Sequence, residues 1–241
     1  TEKVGVRVSA YDTDWKDRNL TKSVQTGQGS SGDTDIIFLT GVNQKHQGLE
    51  LETKVKPTDK FELDFIASYG NWKFDGDADG TYQEQEYNDN NQVIGVTTTE
   101  YSYALDGLYV GDMPQTSYIL GLTYKPIKGL RLQALYKTYD RNFADWSPDS
   151  REVEGDADRA QVWEAPGYSK LDLHASYKLP IKGYDISLNA HVFNALDDIF
   201  IQDAVDNSKY NGWGDKVHAP HNAEVFLGTP RYANIGVTVN F

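Results

Sequence analysis

The run Asp75-Gly76-Asp77-Ala78-Asp79-Gly80, followed by Glu86, matches the D-x-[DN]-x-[DN]-G-x5-E spacing of a calcium loop. Carboxylates at loop positions 1, 3 and 5 converge on a hard cation, and the glycine at position 6 permits the sharp turn. The Thr81 carbonyl and a bidentate Glu86 would complete an oxygen shell around a structural Ca2+. No helices are expected to flank this run, and Tyr82 stands where an aliphatic residue is usual. The competing reading is a solvated acidic tip, because Asp and Glu are dense throughout 75–89, 145–158 and 197–206.

Other chemistry-bearing residues are fewer. His218 and His221, in His-Ala-Pro-His, could hold iron or a ferric ligand, though ligation needs a convergent third group. Trp146, Trp163, Tyr210 and Trp213 fall in polar connections and are candidate ligand-contacting aromatics; loop self-packing is the alternative use for them. Gly27-Gln28-Gly29-Ser30-Ser31-Gly32 matches G-x-G-x-x-G but lacks the strand before and the helix after that a dinucleotide site requires. No nucleophile elbow, P-loop or zinc-protease motif occurs, and the absence of cysteine removes thiol chemistry. A net charge of -13 excludes a nucleic-acid partner, since binding phosphates needs a basic surface.

The elements that would carry these residues are strands. Period-2 alternation gives Phe61, Leu63, Phe65, Ala67 and Tyr69 on one face of 61–69, with Glu62, Asp64 and Ser68 on the other. The same pattern recurs in 116–124, 130–136, 171–179, 184–192 and 231–241, where Ile235, Val237, Val239 and Phe241 oppose Asn234, Gly236, Thr238 and Asn240. Two fainter strands cover Val4–Ala10, whose phase breaks near Tyr11–Trp15, and Leu49–Val55. These make about eight strands near the ~9–11 residues that cross a bilayer at a tilt. His174 and His191 fall on the polar faces of neighbouring strands.

Connections decide between membrane and soluble readings. Short turns at 56–60, 125–129 and 180–183 alternate with long polar connections at about 17–40, 75–114, 141–167 and 196–229. That is the habit of outer-membrane barrels, with periplasmic turns and extracellular loops. Tyr69, Tyr118, Tyr124, Tyr168, Tyr177 and Tyr184 near strand ends fit an aromatic girdle on the apolar face. A mean hydropathy of -0.61 suits alternating strands, and no run approaches the ~18 apolar residues of a spanning helix. A soluble lipocalin-like barrel or sandwich is the competitor, but its loops need not alternate in length. The predicted fold is all-β: a transmembrane antiparallel up-and-down barrel with its C-terminus periplasmic. No signal peptide begins the sequence, so it is expected either to have been removed or to lie upstream of a chain that starts mid-barrel.

The closing octet 234–241 resembles the C-terminal β-signal read by the outer-membrane assembly machinery, with Asn234, Gly236, Val239 and Phe241 fitting its elements. Residues 10–18, 41–52 and Val192-Phe-Asn-Ala-Leu-Asp-Asp198 resemble TonB-dependent receptors, especially those of Bacteroidota. The resemblance implies that residues 1–241 are the C-terminal part of a 22-stranded barrel whose plug domain and earlier strands are not in this sequence. It further implies TonB-coupled uptake of a ferric siderophore, cobalamin or glycan and no enzymatic activity. The implied partners are the lipid bilayer, lipopolysaccharide, the plug, TonB and a surface lipoprotein. Two alternatives stay open: a complete eight-stranded barrel with a structural or adhesive role, and an enzyme barrel with a Ser–His–acid cluster at its mouth. Pairing of the strand near Val4–Ala10 with 231–241 would mark the first.

Overall fold

β-branched and aromatic residues at every second position favour pleated backbone, and among the described residues they build fourteen strands. A computed structural model describes residues 3–26, 33–148, 151, 153, 158–207 and 216–240. Eight long strands run in sequence order across one antiparallel sheet: β1 (Val4–Thr26), β2 (Asp33–Thr58), β3 (Phe61–Phe74), β6 (Thr116–Tyr124), β7 (Leu130–Asp140), β10 (Tyr168–Lys178), β11 (Asp185–Phe193) and β14 (Tyr232–Asn240). A hairpin of β4 (Ala78–Tyr87) and β5 (Val93–Tyr103) pairs with the upper part of β2 beyond the end of β3.

Register explains why the alternation is so regular. One row across the sheet reads Val4, Val55, Leu63, Leu122, Ala134, Leu173, Val192, Ala233, with one apolar residue from each strand. The row Glu62, Thr123, Gln133, His174, His191, Asn234 lies on the opposite face and is polar throughout. Slipping any strand by one residue would exchange the faces, so the pattern itself fixes the register. The apolar face is uncovered: Ile235 is 84% exposed and Val8 72%. A soluble sheet would bury such a face, whereas a lipid-facing one need not.

The sheet does not close. Among the described residues β1 pairs only with β2 and β14 only with β11, so the contact that would mark a complete eight-stranded barrel is not formed.

Three expectations are corrected. Most of 17–40 is strand, because β1 and β2 pair up to Thr26↔Asp33, with shifts between Trp15 and Leu20. The phase break expected at Tyr11–Trp15 does not occur; pairing is continuous from Val4 to Trp15, and the two aromatics simply occupy the polar face. Tyr168 also lies on the polar face, opposite Tyr139 and stacked on Phe200 at 4.3 Å, so it is not a girdle residue.

Candidate functional site at the long-loop end

The long connections fold into a layer with its own core. Ile37, Leu39, Val42, Phe74, Tyr103, Leu105, Leu108, Phe143 and Trp146 form one apolar cluster; Ala144, Trp163, Ala165, Ala204 and Ala223 form a second. Two short ladders stitch the connections together: β8 (Asn142–Phe143) with β9 (Glu164–Ala165), and β12 (Ile201–Val205) with β13 (Glu224–Leu227). Backbone bonds Asp145 N–H to Ala204 O and Asp206 N–H to Asp145 O, each 2.8 Å, join the third long connection to the fourth.

This packing decides where the tryptophans sit. Trp146 is 2% exposed, edge-on to Phe74 at 6.3 Å and beneath the Lys22 ammonium, and Trp163 is buried in the second cluster. Both hold the layer together rather than face an opening. Tyr210 and Trp213 lie outside the described residues, as do the glycine-rich run 27–32 and Phe241.

The calcium-loop residues are not brought together. β4 runs extended from Ala78 to Tyr87, so Asp79 and Glu86 stand roughly 23 Å apart along the strand and on opposite faces. Three of the four carboxylates, Asp77, Asp79 and Glu86, have another use. Asp77 accepts from both terminal nitrogens of Arg159 (3.0 and 2.7 Å) and from the N–H groups of Leu105 and Asp106 (3.1 Å each). Asp79 accepts from Ser102 (2.7 Å) and Glu86 from Thr97 (2.9 Å), while Asp75 and Thr81 add no convergence. The tip became a hairpin because Thr-Tyr-Gln-Glu-Gln (81–85) pairs with Val-Thr-Thr-Thr-Glu (96–100) across it. Among the described residues no three His, Asp or Glu side chains could share a metal ion.

The histidines divide. His221 sits exposed on a short 3-10 turn, Pro220–Asn222. His218 turns inward: Nδ1 lies 2.5 Å from an Asp206 oxygen and Nε2 2.9 Å from Asp158. Arg151, fully buried, donates to the carbonyls of Asp158 (3.0 Å) and Ala160 (2.7 Å), with its guanidinium 3.7 Å from both carboxylates. The cluster ties the third long connection (Arg151, Asp158) to the fourth (Asp206, His218). Sequence reading passed over Arg151; its only signal is a cation in an otherwise acidic stretch.

The Asp206 carboxylate, bonded to the imidazole, holds the His218 pKa above its ordinary value despite burial. Asp112, in the same layer, is pushed up to about 6 by burial and by the nearby Asp145 and Asp203 carboxylates. Both shifts have one sign. The His218 contribution is complete below the ordinary 6.5 and is lost as pH rises through its raised folded value. The Asp112 contribution is complete below 3.8 and is lost as pH rises through about 6. The layer should therefore loosen as pH rises, seen as faster protease cleavage within 142–165 and 201–227 of the intact protein at about pH 9 than at about pH 5. A protease matched for activity at both pH values that cut equally fast would contradict this.

Below the layer, the polar face carries an aromatic shelf. Trp15, His46 and Trp72 stack across β1, β2 and β3 at 5.3 and 5.4 Å, with planes within 9° and 15°. The Arg18 guanidinium lies 4.7 Å above Trp15 and donates to Gln44 (2.6 Å). Gly48 and Gly70 are opposite one another, and a Cβ on either would strike Tyr11 or Trp72. The two rings fill that hollow, and Trp72 Nε1–H donates to Tyr11 Oη at 2.8 Å. Only the register reveals this grouping. His174 and His191 share the polar face further along, with their Nδ1 atoms 2.8 Å apart.

Asn234, Gly236 and Val239 lie in β14 opposite His191, Asn189 and Ile186. A Cβ on Gly236 would meet nothing within 4 Å, so nothing in this sheet requires glycine there.

Residues 2–195 match the family model described as TonB dependent receptor-like, beta-barrel. Among solved structures, the ferric citrate transporter FecA in its unliganded form aligns over 100% of this chain and 52% of its own, at 12% identity and a TM-score of 0.34. The chain thus spans about half the length of that protein. The comparison with curated proteins gives no match.

Proposed function

The chain belongs to the TonB-dependent receptor β-barrel family, and on that premise we propose that it is the C-terminal barrel portion of an outer-membrane receptor for a scarce nutrient. Members of this family are receptors rather than enzymes. In this reading the long loops are extracellular, the short turns and C-terminus periplasmic, and the polar face lines the lumen beside a plug. Uptake of a ferric siderophore, cobalamin or glycan would be driven through TonB. The unpaired edges of β1 and β14 would be completed by strands elsewhere in the receptor, because unsatisfied backbone groups in lipid cost several kcal/mol each.

One observation supports the reading most: a stacked aromatic shelf on the polar face, directly beneath a loop layer that has its own core. Specificity carried by loops on a rigid strand scaffold is the usual division of labour in such proteins. The lipopolysaccharide leaflet, a surface lipoprotein and the assembly machinery, the last acting through Asn234, Gly236, Val239 and Phe241, are partners of the same reading. Mass spectrometry of the intact receptor, extracted from membranes, should find an iron chelate, corrinoid or glycan bound. Cells lacking TonB should fail to accumulate that compound. Accumulation that does not depend on TonB would overturn the proposal.

A further inference from the structure

The β4–β5 hairpin leaves one strand edge unused. β5 ends its side of the sheet, paired with β4 and with no strand beyond it among the described residues. Its pairing with β4 runs without a register shift from Gly95 to Tyr103. In an antiparallel ladder, alternate residues turn both backbone groups to the same side. At the base of β5 two bonds identify the outer side: Val153 N–H donates to Ser102 O at 2.8 Å, and Ala104 N–H to Arg151 O at 2.7 Å. Val96, Thr98 and Glu100 therefore turn their N–H and C=O groups outward too, and no backbone partner meets them among the described residues. The third long connection has begun an added strand at the base, and the edge continues past it.

Nothing in the strand discourages further pairing. Exposed edges are usually blunted by lysine, proline or a bulge. β5 has neither residue, and the one register shift lies at the hairpin tip, between Glu86 and Tyr87. Val93, Ile94 and Val96 are exposed, and Thr97, Thr98 and Thr99 follow them. Such β-branched residues favour a pleated strand with neighbours on both sides.

Charge selects the occupant. From Phe74 to Tyr124 the sequence contains no lysine or arginine. Glu86, Asp89 and Glu100 are exposed, and among the described residues the nearest ion pair, Asp77 with Arg159, lies below the hairpin. A second copy pairing edge to edge would set these carboxylates against their own kind, and like charges on adjoining strands are destabilising. A strand bearing lysine or arginine would meet Glu100 on one face of β5 and Glu86, beside Thr97, on the other. Its apolar residues would lie along Val96.

We propose that the outer edge of β5 is a docking edge that takes up an added strand from an extended, basic segment of another protein. In the orientation of the proposed function that partner is extracellular; strand addition itself does not depend on the orientation. The probe is a capped hexapeptide of alternating lysine and valine, titrated calorimetrically against the intact receptor in detergent. It should bind, and the counterpart with glutamate for lysine should not. N-methylation of alternate peptide nitrogens keeps the charge but removes the donors, and should cut affinity at least about tenfold, because main-chain hydrogen bonds carry strand addition. Thr98→Pro should do the same: its N–H faces outward, so proline there blocks the added strand and spares the β4–β5 ladder. Glu100→Lys, which leaves the backbone unaltered, should weaken the lysine peptide and strengthen the glutamate one. Bound peptide should slow hydrogen exchange at Val96, Thr98 and Glu100. Heat-modifiable migration confirms that each variant is folded. Equal binding of the lysine and glutamate peptides, undiminished binding of the N-methylated peptide or by Thr98→Pro, or unchanged exchange at those three amides would overturn the proposal. A dimer of the parent that Thr98→Pro dissociates would assign the edge to a second copy and overturn the choice of partner.

Discussion

Arg151→Ala should undock the third and fourth long connections from each other at a cost of about 3–5 kcal/mol, because removing one partner of a buried ion cluster strands the others. Asp158 and Asp206 are 5% and 1% exposed at their side chains. Without the guanidinium, two buried carboxylates would face a single imidazole, and the Asp158 and Ala160 carbonyls would lose their donor. The intact cluster is not itself a large source of stability. Arg151 Nε and Asp206 Oδ1 find no hydrogen-bond partner among the described residues, so desolvation is only partly offset. The damage comes from breaking the set, not from never having had it.

The Asp77–Arg159 pair makes the contrast. It is bidentate but roughly half exposed and screened by solvent, so Arg159→Ala should cost far less than Arg151→Ala. Hydrogen exchange on the intact receptor separates the two cases. In Arg151→Ala, segments 142–165 and 201–227 should both exchange faster. Faster exchange confined to the segment carrying the substitution would show that the cluster does not couple the loops.

What was legible in the sequence was whatever repeats with period two. Eight strands, three short turns and the identity of the two faces follow from alternation, because one face meets lipid and tolerates almost nothing polar. Tyr11 and Trp15 show the limit: large aromatics on the polar face look like a break in phase, although β1 runs through them. The loop layer was not legible. Trp146 and Trp163 read equally well as ligand contacts or as loop packing because their neighbours in sequence are polar, while the residues that bury them, such as Phe74 and Tyr103 against Trp146 and Ala204 against Trp163, come from distant segments. Likewise the acidic spacing at 75–86 satisfied a local pattern, but pairing across the β4–β5 hairpin gave Asp79 and Glu86 hydroxyl partners, and Asp77 took the Leu105 N–H and Arg159 instead. Local spacing specifies a site only where nothing further away competes for the same groups.

The face assignment gives the second large effect, and depth decides its size. Leu173 lies in β10, flanked by β7 and β11, opposite Ala134 and Val192. Its row falls between Leu171–Tyr136 on one side and Tyr177–Leu130 on the other, well inside the aromatic belts. Leu173→Arg should therefore cost about 2–4 kcal/mol, the range for a cation on the lipid face near the midplane. Leu188, although on the same face, is opposite Tyr177 of the belt, and Leu188→Arg should cost only about 0–1 kcal/mol because the side chain can reach the headgroups. His174, one residue from Leu173, lies on the polar face opposite Gln133 and His191, and His174→Arg should cost little. Denaturant titration of the intact receptor folded into lipid vesicles would rank the three. The expected order is Leu173, then Leu188, then His174. Equal costs at Leu173 and His174 would mean that the two faces have been exchanged. Equal costs at Leu173 and Leu188 would mean that Tyr177 does not mark the edge of the bilayer.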